Sequence, residues 1–198
     1  MIQTIIALVI FLFPLAYSPG PGNMFFAANG ARFGFRSTVA ANTGYHIATW
    51  TVTMAIGLGF IAAFDRSSLL MGWLKIAGSM YVIWIAWALF KADTAEGLIE
   101  AKPATFIDGV ILLILNPKAY VIITLMFTQF LNVLETDRPV SVLLISTIFT
   151  INNLLAFSIW ILIGDKLATY FRTPKSAQKL NRVFAGILVS IAIWILLA

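Results

Sequence analysis

The sequence predicts an all-α membrane protein with six transmembrane helices, arranged as two inverted three-helix repeats with broken helices 1 and 4. Of its 198 residues, 61% are hydrophobic and 11% charged, whereas soluble domains are about half apolar and a quarter charged. A core of this size could not bury that apolar surplus, so membrane lipid is the expected partner. Six apolar stretches are long enough to cross about 30 Å of hydrocarbon as helices. Prolines interrupt the first stretch of each half.

The six predicted spans form one transmembrane domain over residues 1–198. The halves are about 1–91 and 104–198, joined by a polar linker at 92–103 that is predicted to be cytoplasmic. The long, continuously apolar runs argue against strands. The first run has no basic segment before it, so we interpret it as a span and not as a cleaved signal peptide. The predicted spans are 2–28, 38–63, 69–90, 104–131, 140–164 and 180–197.

Basic residues in the connections predict the orientation. Nine lie after spans one, three and five, and three lie on the opposite side. The richer side is expected in the cytoplasm, so both termini are predicted to be periplasmic. The nine are Arg32, Arg36, Lys91, Lys102, Lys166, Arg172, Lys175, Lys179 and Arg182, and the three are Arg66, Lys75 and Arg138.

The two halves share features. An Ala-Gly pair in span three, at Gly78, recurs 108 residues later in span six, at Gly186. Each half also opens with a span that contains a proline break. Because three is an odd number, consecutive three-helix halves must be oppositely oriented, which is the plan of many secondary transporters.

The first break is predicted to bind substrate. Proline removes a backbone donor and glycine weakens a helix interior, so this cluster cannot continue an ordinary helix. Irregular backbone at membrane depth faces protein or a wet cavity, and a new half-helix presents its positive end there. That end suits a carboxylate; the alternative is a kink that only shapes packing. The residues are Pro19, Gly20, Pro21, Gly22 and Asn23.

The second break is predicted to complete the substrate site with Asn116, Pro117 and Lys118. A lysine near the middle of a span is costly unless something compensates its charge. Lys118 could anchor the carboxylate of a substrate. Alternatively it pairs with Asp108 or Asp165, or donates hydrogen bonds to carbonyl groups of the broken helix.

Further polar residues are candidates for a hydrophilic pathway or for ion coupling. Asn42, Tyr45 and His46 share one face of span two, at spacings i, i+3 and i+4. Buried amides can also simply hold helices together, and the histidine could relay protons or only pack. The candidates are Asn42, Tyr45, His46, Gln129, Asn152 and Asn153.

The composition also restricts the function. Without cysteine and with one histidine, the chain lacks the ligands of a transition-metal site and the groups of a membrane enzyme, so no metal, cofactor or catalytic residue is predicted. The basic residues are dispersed, which argues against nucleic acid. The alternatives to a transporter are a channel or exporter for another solute or cation, and a non-transporting membrane protein.

The ordered motifs resemble those of LysE/RhtB exporters over nearly the whole chain. The resemblance implies an exporter of small amino acids or their derivatives in the bacterial inner membrane, driven by proton antiport; a homodimer stays open. Segment 97–103 resembles the branch that exports cysteine and O-acetylserine. Many relatives carry an intramembrane aspartate where this chain has Asn153, which puts that residue's part in coupling in question. The motifs are Ser18-Pro19-Gly20-Pro21, Gly34-Phe35-Arg36, Asn42-Thr43-Gly44, Leu74-Lys75-Ile76-Ala77-Gly78-Ser79-Met80-Tyr81, Asn116-Pro117-Lys118-Ala119, Gln129-Phe130 and 180–186.

Overall fold

The described secondary structure of the chain is helical. The structure, a computed structural model, describes residues 2–59, 68–91, 102–131, 133–134, 137–170 and 174–197. The predicted loop around Arg66 and residues 92–101 of the predicted linker lie outside them. Within the described part the helices are α1 (Ile2–Tyr17), α2 (Pro21–Gly57), α3 (Ser68–Lys91), α4 (Phe106–Ile114), α5 (Pro117–Phe130), α6 (Arg138–Tyr170) and α7 (Pro174–Leu197).

Both predicted helix breaks are confirmed. α1 and α2 are bent by 61° across the first break, and α4 and α5 by 63° across the second. Pro21 and Pro117 each begin the second helix of the pair, where a missing N–H costs nothing and the fixed φ suits a helix. Gly20 and Asn116, the residues just before them, have extended backbones, as the residue before a proline prefers.

The structure bears out one predicted helix boundary and corrects two others. Spans one and two were expected to be separate, and α2 is broken between them at Gly34, whose φ of 78° favours glycine. The helices that contain predicted spans five and six are longer than those spans, because α6 continues to Tyr170 and α7 begins at Pro174. Polar residues at the ends of a span can extend a helix beyond its apolar part.

The span count is confirmed only in part. By length and apolar character, α6 and residues 178–197 of α7 could each cross a membrane. Two bent pairs, α1 with α2 and α4 with α5, raise the number to four within the described residues. Residues 76–87 of α3 form a shorter apolar helix. Six spans and the inverted repeat therefore stay predictions.

The packing centres on α2, which contacts α6 along much of its length and α4 near its middle. Glycines allow close approach on both sides. A methyl group at Gly164 would lie 2.0 Å from the Ala27 carbonyl oxygen, and one at Gly109 would lie 1.9 Å from that of Ala41. α3 packs mainly on α7. The two breaks are thus held against a tightly packed α2–α6 pair.

Candidate functional site

The two breaks border one small buried cavity. Its volume is about 10 Å³, at the lower limit of what one water molecule needs. α1, α2, α4, α5 and α6 all contribute to its wall. The polar lining residues are Asn23, Tyr45, Thr49, Asn116, Lys118 and Asn153, and the apolar ones are Leu15, Ala16, Leu113, Ala119, Ile122, Phe149 and Phe157.

Lys118 connects the second break to the first. Its Nζ donates to the carbonyl oxygen and to the Oγ of Ser18, both at 3.0 Å. Gly20 leaves room for this crossing, since a methyl group there would lie 3.0 Å from Nζ. Asp108 instead caps α4 with Thr105, and Asp165 accepts from the Phe35 N–H. Of the alternatives for Lys118, hydrogen bonding to a carbonyl of the broken helix is the one observed, and pairing with either aspartate is not.

Asparagines flank the lysine at both breaks. Asn23 Nδ2 donates to the Ala16 carbonyl oxygen at 2.9 Å, which fixes the end of α1 to the start of α2. Asn116 Nδ2 donates to Tyr45 Oη at 2.8 Å. The Oδ1 of Asn116 is buried and has no hydrogen-bond partner among the described residues. Each break thus places one amide at the cavity.

A buried hydrogen-bonded chain connects α2 to α6 beside the cavity. His46 Nδ1 lies 2.8 Å from the Asn42 carbonyl oxygen and its Nε2 lies 3.3 Å from Asn153 Nδ2. A carbonyl oxygen only accepts, so Nδ1 carries the proton; Nε2 then accepts from the amide. Asn42 Nδ2 also donates to Ser158 Oγ at 3.3 Å. The imidazole is therefore neutral in this arrangement, with both ring nitrogens occupied.

Aromatic rings of α2 and α6 pack together beside this hydrogen-bonded chain. The centroid of Phe157 lies 5.1 Å from that of Phe26, 4.8 Å from Tyr45 and 5.2 Å from His46. Gly22 makes this possible, since a methyl group there would lie 2.7 Å from the Phe157 ring. The rings close one side of the cavity.

Larger cavities lie on either side of the small one. One of about 160 Å³ is lined by Asn29, Arg32 and Asp108, among others. Another of about 360 Å³ is lined by Gly57, Phe127 and Arg138, among others. The three cavities follow one another along α2. The first is near Ala41, which packs on Gly109 beside Asp108. Tyr45 and Thr49 line the small cavity, and Gly57 lines the third. From position 41 to position 57 a helix rises about 24 Å.

The structure brings together some of the predicted residues and separates others. Asn23, Tyr45, Asn116, Lys118 and Asn153 line the cavity. Gly20, Pro21, Gly22, Pro117, Asn42 and His46 are buried behind the lining, whereas Pro19 and Gln129 are exposed and Asn152 is buried without lining it.

The sequence analysis missed Ser18 as a partner of Lys118, and it missed the apolar lining. Ser18 directly precedes the proline cluster, so its carbonyl group was a foreseeable end of the broken helix. Thr49 lies on the face of α2 that carries Tyr45, one turn further along, and could have been found from that spacing. Phe149 and Phe157 give no such signal in an apolar chain. Among the described residues, no group of three or more His, Asp or Glu could hold a metal ion.

Comparison with known proteins gives a consistent set of relatives. The sequence model of the family described as LysE type translocator matches residues 13–198. A leucine efflux protein of Enterobacter sp. (strain 638) is 24% identical over 91% of this chain and 88% of its own length. A cysteine/O-acetylserine efflux protein of Escherichia coli (strain K12) is 30% identical over 90% of each. A homoserine/homoserine lactone efflux protein of Salmonella typhimurium is 23% identical over 87% of this chain and 86% of its own. No solved structure matches the chain.

Proposed function

Because the chain belongs to the family of LysE type translocators, we propose that it is a secondary transporter that exports small amino acids or close derivatives from a bacterial cell. The efflux proteins to which it is similar support this class of substrate. The observation that carries the proposal is Lys118, a cation held between two helix breaks at a buried cavity.

Lys118 is suited to anchor a carboxylate. Its two hydrogen bonds go to neutral oxygens of Ser18, and in the part of the chain that the structure describes no acidic side chain lines the cavity. A lysine at the centre of a membrane costs about 2.5–3.5 kcal/mol on insertion scales. A substrate carboxylate would supply the missing negative charge, and hydrogen bonds between two charged groups are about twice as strong as neutral ones.

The small volume of the cavity requires a conformational change. At about 10 Å³ it cannot hold an amino acid in this conformation. The larger cavities on either side support alternating access, in which the site opens first towards one and then towards the other. Phe157 at the site packs on Phe26, and Phe26 packs on Phe25, which lines the cavity near Asn29, so these rings lie on the route between the two. The packing of Phe127 against Gly57 narrows the opposite route, since a methyl group at Gly57 would lie 2.5 Å from that ring.

The inverted repeat supplies the symmetry for this exchange. Under it α1 corresponds to α4, the first part of α2 to α5, the second part of α2 to α6, and α3 to α7. The two bends differ by 2°, from 61° to 63°, and the corresponding helices α3 and α7 pack on each other. In the proposed orientation the cavity near Arg32 faces the cytoplasm, as the excess of basic residues there predicts.

Proton antiport is the proposed driving force, and His46 is the proposed coupling residue. It is buried at the contact of α2 with α6, and imidazole is the side chain that changes charge near neutral pH. Taking up a proton would make Nε2 a donor, so the Asn153 amide would have to turn its oxygen towards the ring. A pH gradient imposed on proteoliposomes should accelerate export in the wild type, and His46→Leu should remove that dependence.

The decisive experiment combines transport with stability. Purified protein in proteoliposomes is tested for counterflow with a panel of amino acids that includes cysteine, O-acetylserine, homoserine and leucine. Lys118→Met should abolish flux while the melting temperature stays near the wild-type value, because methionine fills similar volume and carries no charge to compensate. Lys118→Arg should also be severely impaired, since a planar guanidinium does not replace a compact ammonium.

Lys166→Met is the matched control, because Lys166 is exposed at the end of α6, and it should retain wild-type flux. Full flux from a stable Lys118→Met protein would refute the carboxylate anchor. Ion currents through the protein without counterflow would favour a channel.

A further inference from the structure

The amides around the cavity are oriented by the protein. Asn23 donates through Nδ2 to a carbonyl oxygen, and Asn153 donates through Nδ2 to the unprotonated Nε2 of His46. Both partners accept in this arrangement, so each amide presents its nitrogen to the protein while His46 is neutral. Asn116 Nδ2 is occupied by Tyr45 Oη. In all three residues the nitrogen is engaged with the protein, and the oxygen is the group left for another donor.

The side-chain oxygen of Asn116 is available to a hydrogen-bond donor. It is buried and has no hydrogen-bond partner among the described residues, and a buried acceptor without a partner costs about 1–3 kcal/mol. Asn116 lines the same cavity as the anchor lysine and the other two asparagines. A ligand that donates hydrogen bonds would remove this cost, and an ammonium group has three N–H donors, as a lysine ammonium does.

We infer that Asn23, Asn116 and Asn153 bind the α-ammonium group of a zwitterionic amino acid whose carboxylate is held by Lys118. This inference rests on the proposed function and specifies its substrate. Three neutral acceptors suit a cation that enters together with its own carboxylate, because the net charge brought into the site is zero. The oxygens are contributed by both breaks and by α6, so the ligand would connect the halves.

The rest of the lining restricts the side chain of the substrate. Beyond the polar residues the wall is apolar, with Leu113, Ile122, Phe149 and Phe157 among its members. Among the described residues no aspartate or glutamate lines the cavity, so the second positive charge of a basic amino acid would enter without compensation, at a cost of several kcal/mol. The site is therefore specific for neutral amino acids with a free amino group and a free carboxylate.

Analogues of each transported amino acid test this assignment. Every member of the panel is offered to wild-type proteoliposomes in three forms: free, N-acetylated and as the methyl ester. The free form should be exported at least tenfold faster than the N-acetyl form, which has lost the ammonium group and its charge. The methyl ester should fail as well, through loss of the Lys118 contact. Lysine and arginine should not be carried.

Variants locate the effect. Asn116→Leu and Asn153→Leu keep a branched side chain and remove the acceptor, so each should lower flux of the free amino acid at least tenfold and bring the ratio of free to N-acetyl flux towards one. Asn181→Leu on α7, outside the cavity lining, is the control for the substitution and should keep the wild-type ratio. Binding is measured independently as the rise in melting temperature of detergent-purified protein with each form, which remains informative if one variant does not fold.

The outcomes separate the two proposals. Equal export and equal thermal stabilisation by free and N-acetyl forms would overturn the ammonium site and leave the transporter intact. An Asn116→Leu protein that lowers both fluxes by the same factor would do the same. If no amino acid is carried and none raises the melting temperature, the proposed function fails, and the ammonium site fails with it.

Discussion

Gly164→Ala should destabilise the contact between α2 and α6 on which the site is built. The new methyl group would lie 2.0 Å from the Ala27 carbonyl oxygen, whereas carbon and carbonyl oxygen approach comfortably at about 3.3 Å or more. The helices would have to separate by about 1 Å. Overpacking costs about 1–3 kcal/mol. The obstacle here is backbone, which cannot rotate away, so the upper value applies.

The net effect follows by subtraction. Alanine is favoured over glycine inside a helix by about 1 kcal/mol. Against an overpacking cost of about 3 kcal/mol, Gly164→Ala should lower the free energy of unfolding by about 2 kcal/mol. Gly186→Ala is the matched control, because a methyl group there meets no atom within 4 Å. It should leave stability unchanged or raise it by up to about 1 kcal/mol.

Thermal unfolding of the purified variants in detergent measures both effects. For a chain of this length 1 kcal/mol corresponds to about 2–4 °C, so Gly164→Ala should melt about 4–8 °C below the wild type. Gly30→Ala should behave alike, since its methyl group would lie 2.3 Å from the Ile161 carbonyl oxygen. The double variant should cost less than the sum, because one separation relieves both contacts. A Gly164→Ala protein as stable as Gly186→Ala would refute the packing argument.

Two shorter predictions test the cavity and the orientation. Ser18→Ala removes one of the two acceptors of Lys118 and keeps the carbonyl oxygen, so it should cost about 1.5–3 kcal/mol in stability. It should reduce flux less than tenfold, far less than Lys118→Met; complete loss of transport would contradict this. Single cysteines at positions 36 and 102 should react with an impermeant maleimide only after permeabilisation, and one at 138 should react in intact cells, because the basic residues predict those sides; the chain has no native cysteine to interfere. The reverse pattern would overturn the orientation.

The helix breaks could be predicted from sequence because their cause is local. Proline lacks the N–H that a helix interior requires, so Pro21 and Pro117 each begin a helix whatever the surrounding fold. The kink at Gly34 is a different case. It is one of 13 glycines, and nothing in its neighbours distinguishes a glycine with positive φ from one that allows close packing, as Gly30 does. The break itself nevertheless lies in the gap that was predicted between spans one and two.

The membership of the site was predictable in part. Residues at the breaks carry their own signal, and Asn23, Asn116 and Lys118 all line the cavity. Asn152 and Asn153 could not be distinguished, because adjacent positions of a helix point about 100° apart and the sequence alone does not say which direction faces α2. Carbonyl groups of a broken helix were among the expected partners of Lys118, but Ser18 in particular was not named, since it is 100 residues away and only the packed fold brings the two breaks together.

The choice of partner for Lys118 bears on how a transporter can use it. A fixed aspartate would compete with the substrate carboxylate, and separating a buried ion pair costs several kcal/mol. Neutral oxygens hold the ammonium more weakly, because each hydrogen bond to a charged group contributes only about 1.5–3 kcal/mol. A substrate carboxylate can therefore displace them. The bonds to Ser18 also join the second break to the end of α1. Under the proposed function, the substrate that displaces them releases one break from the other, which couples occupancy of the site to movement of the half-helices.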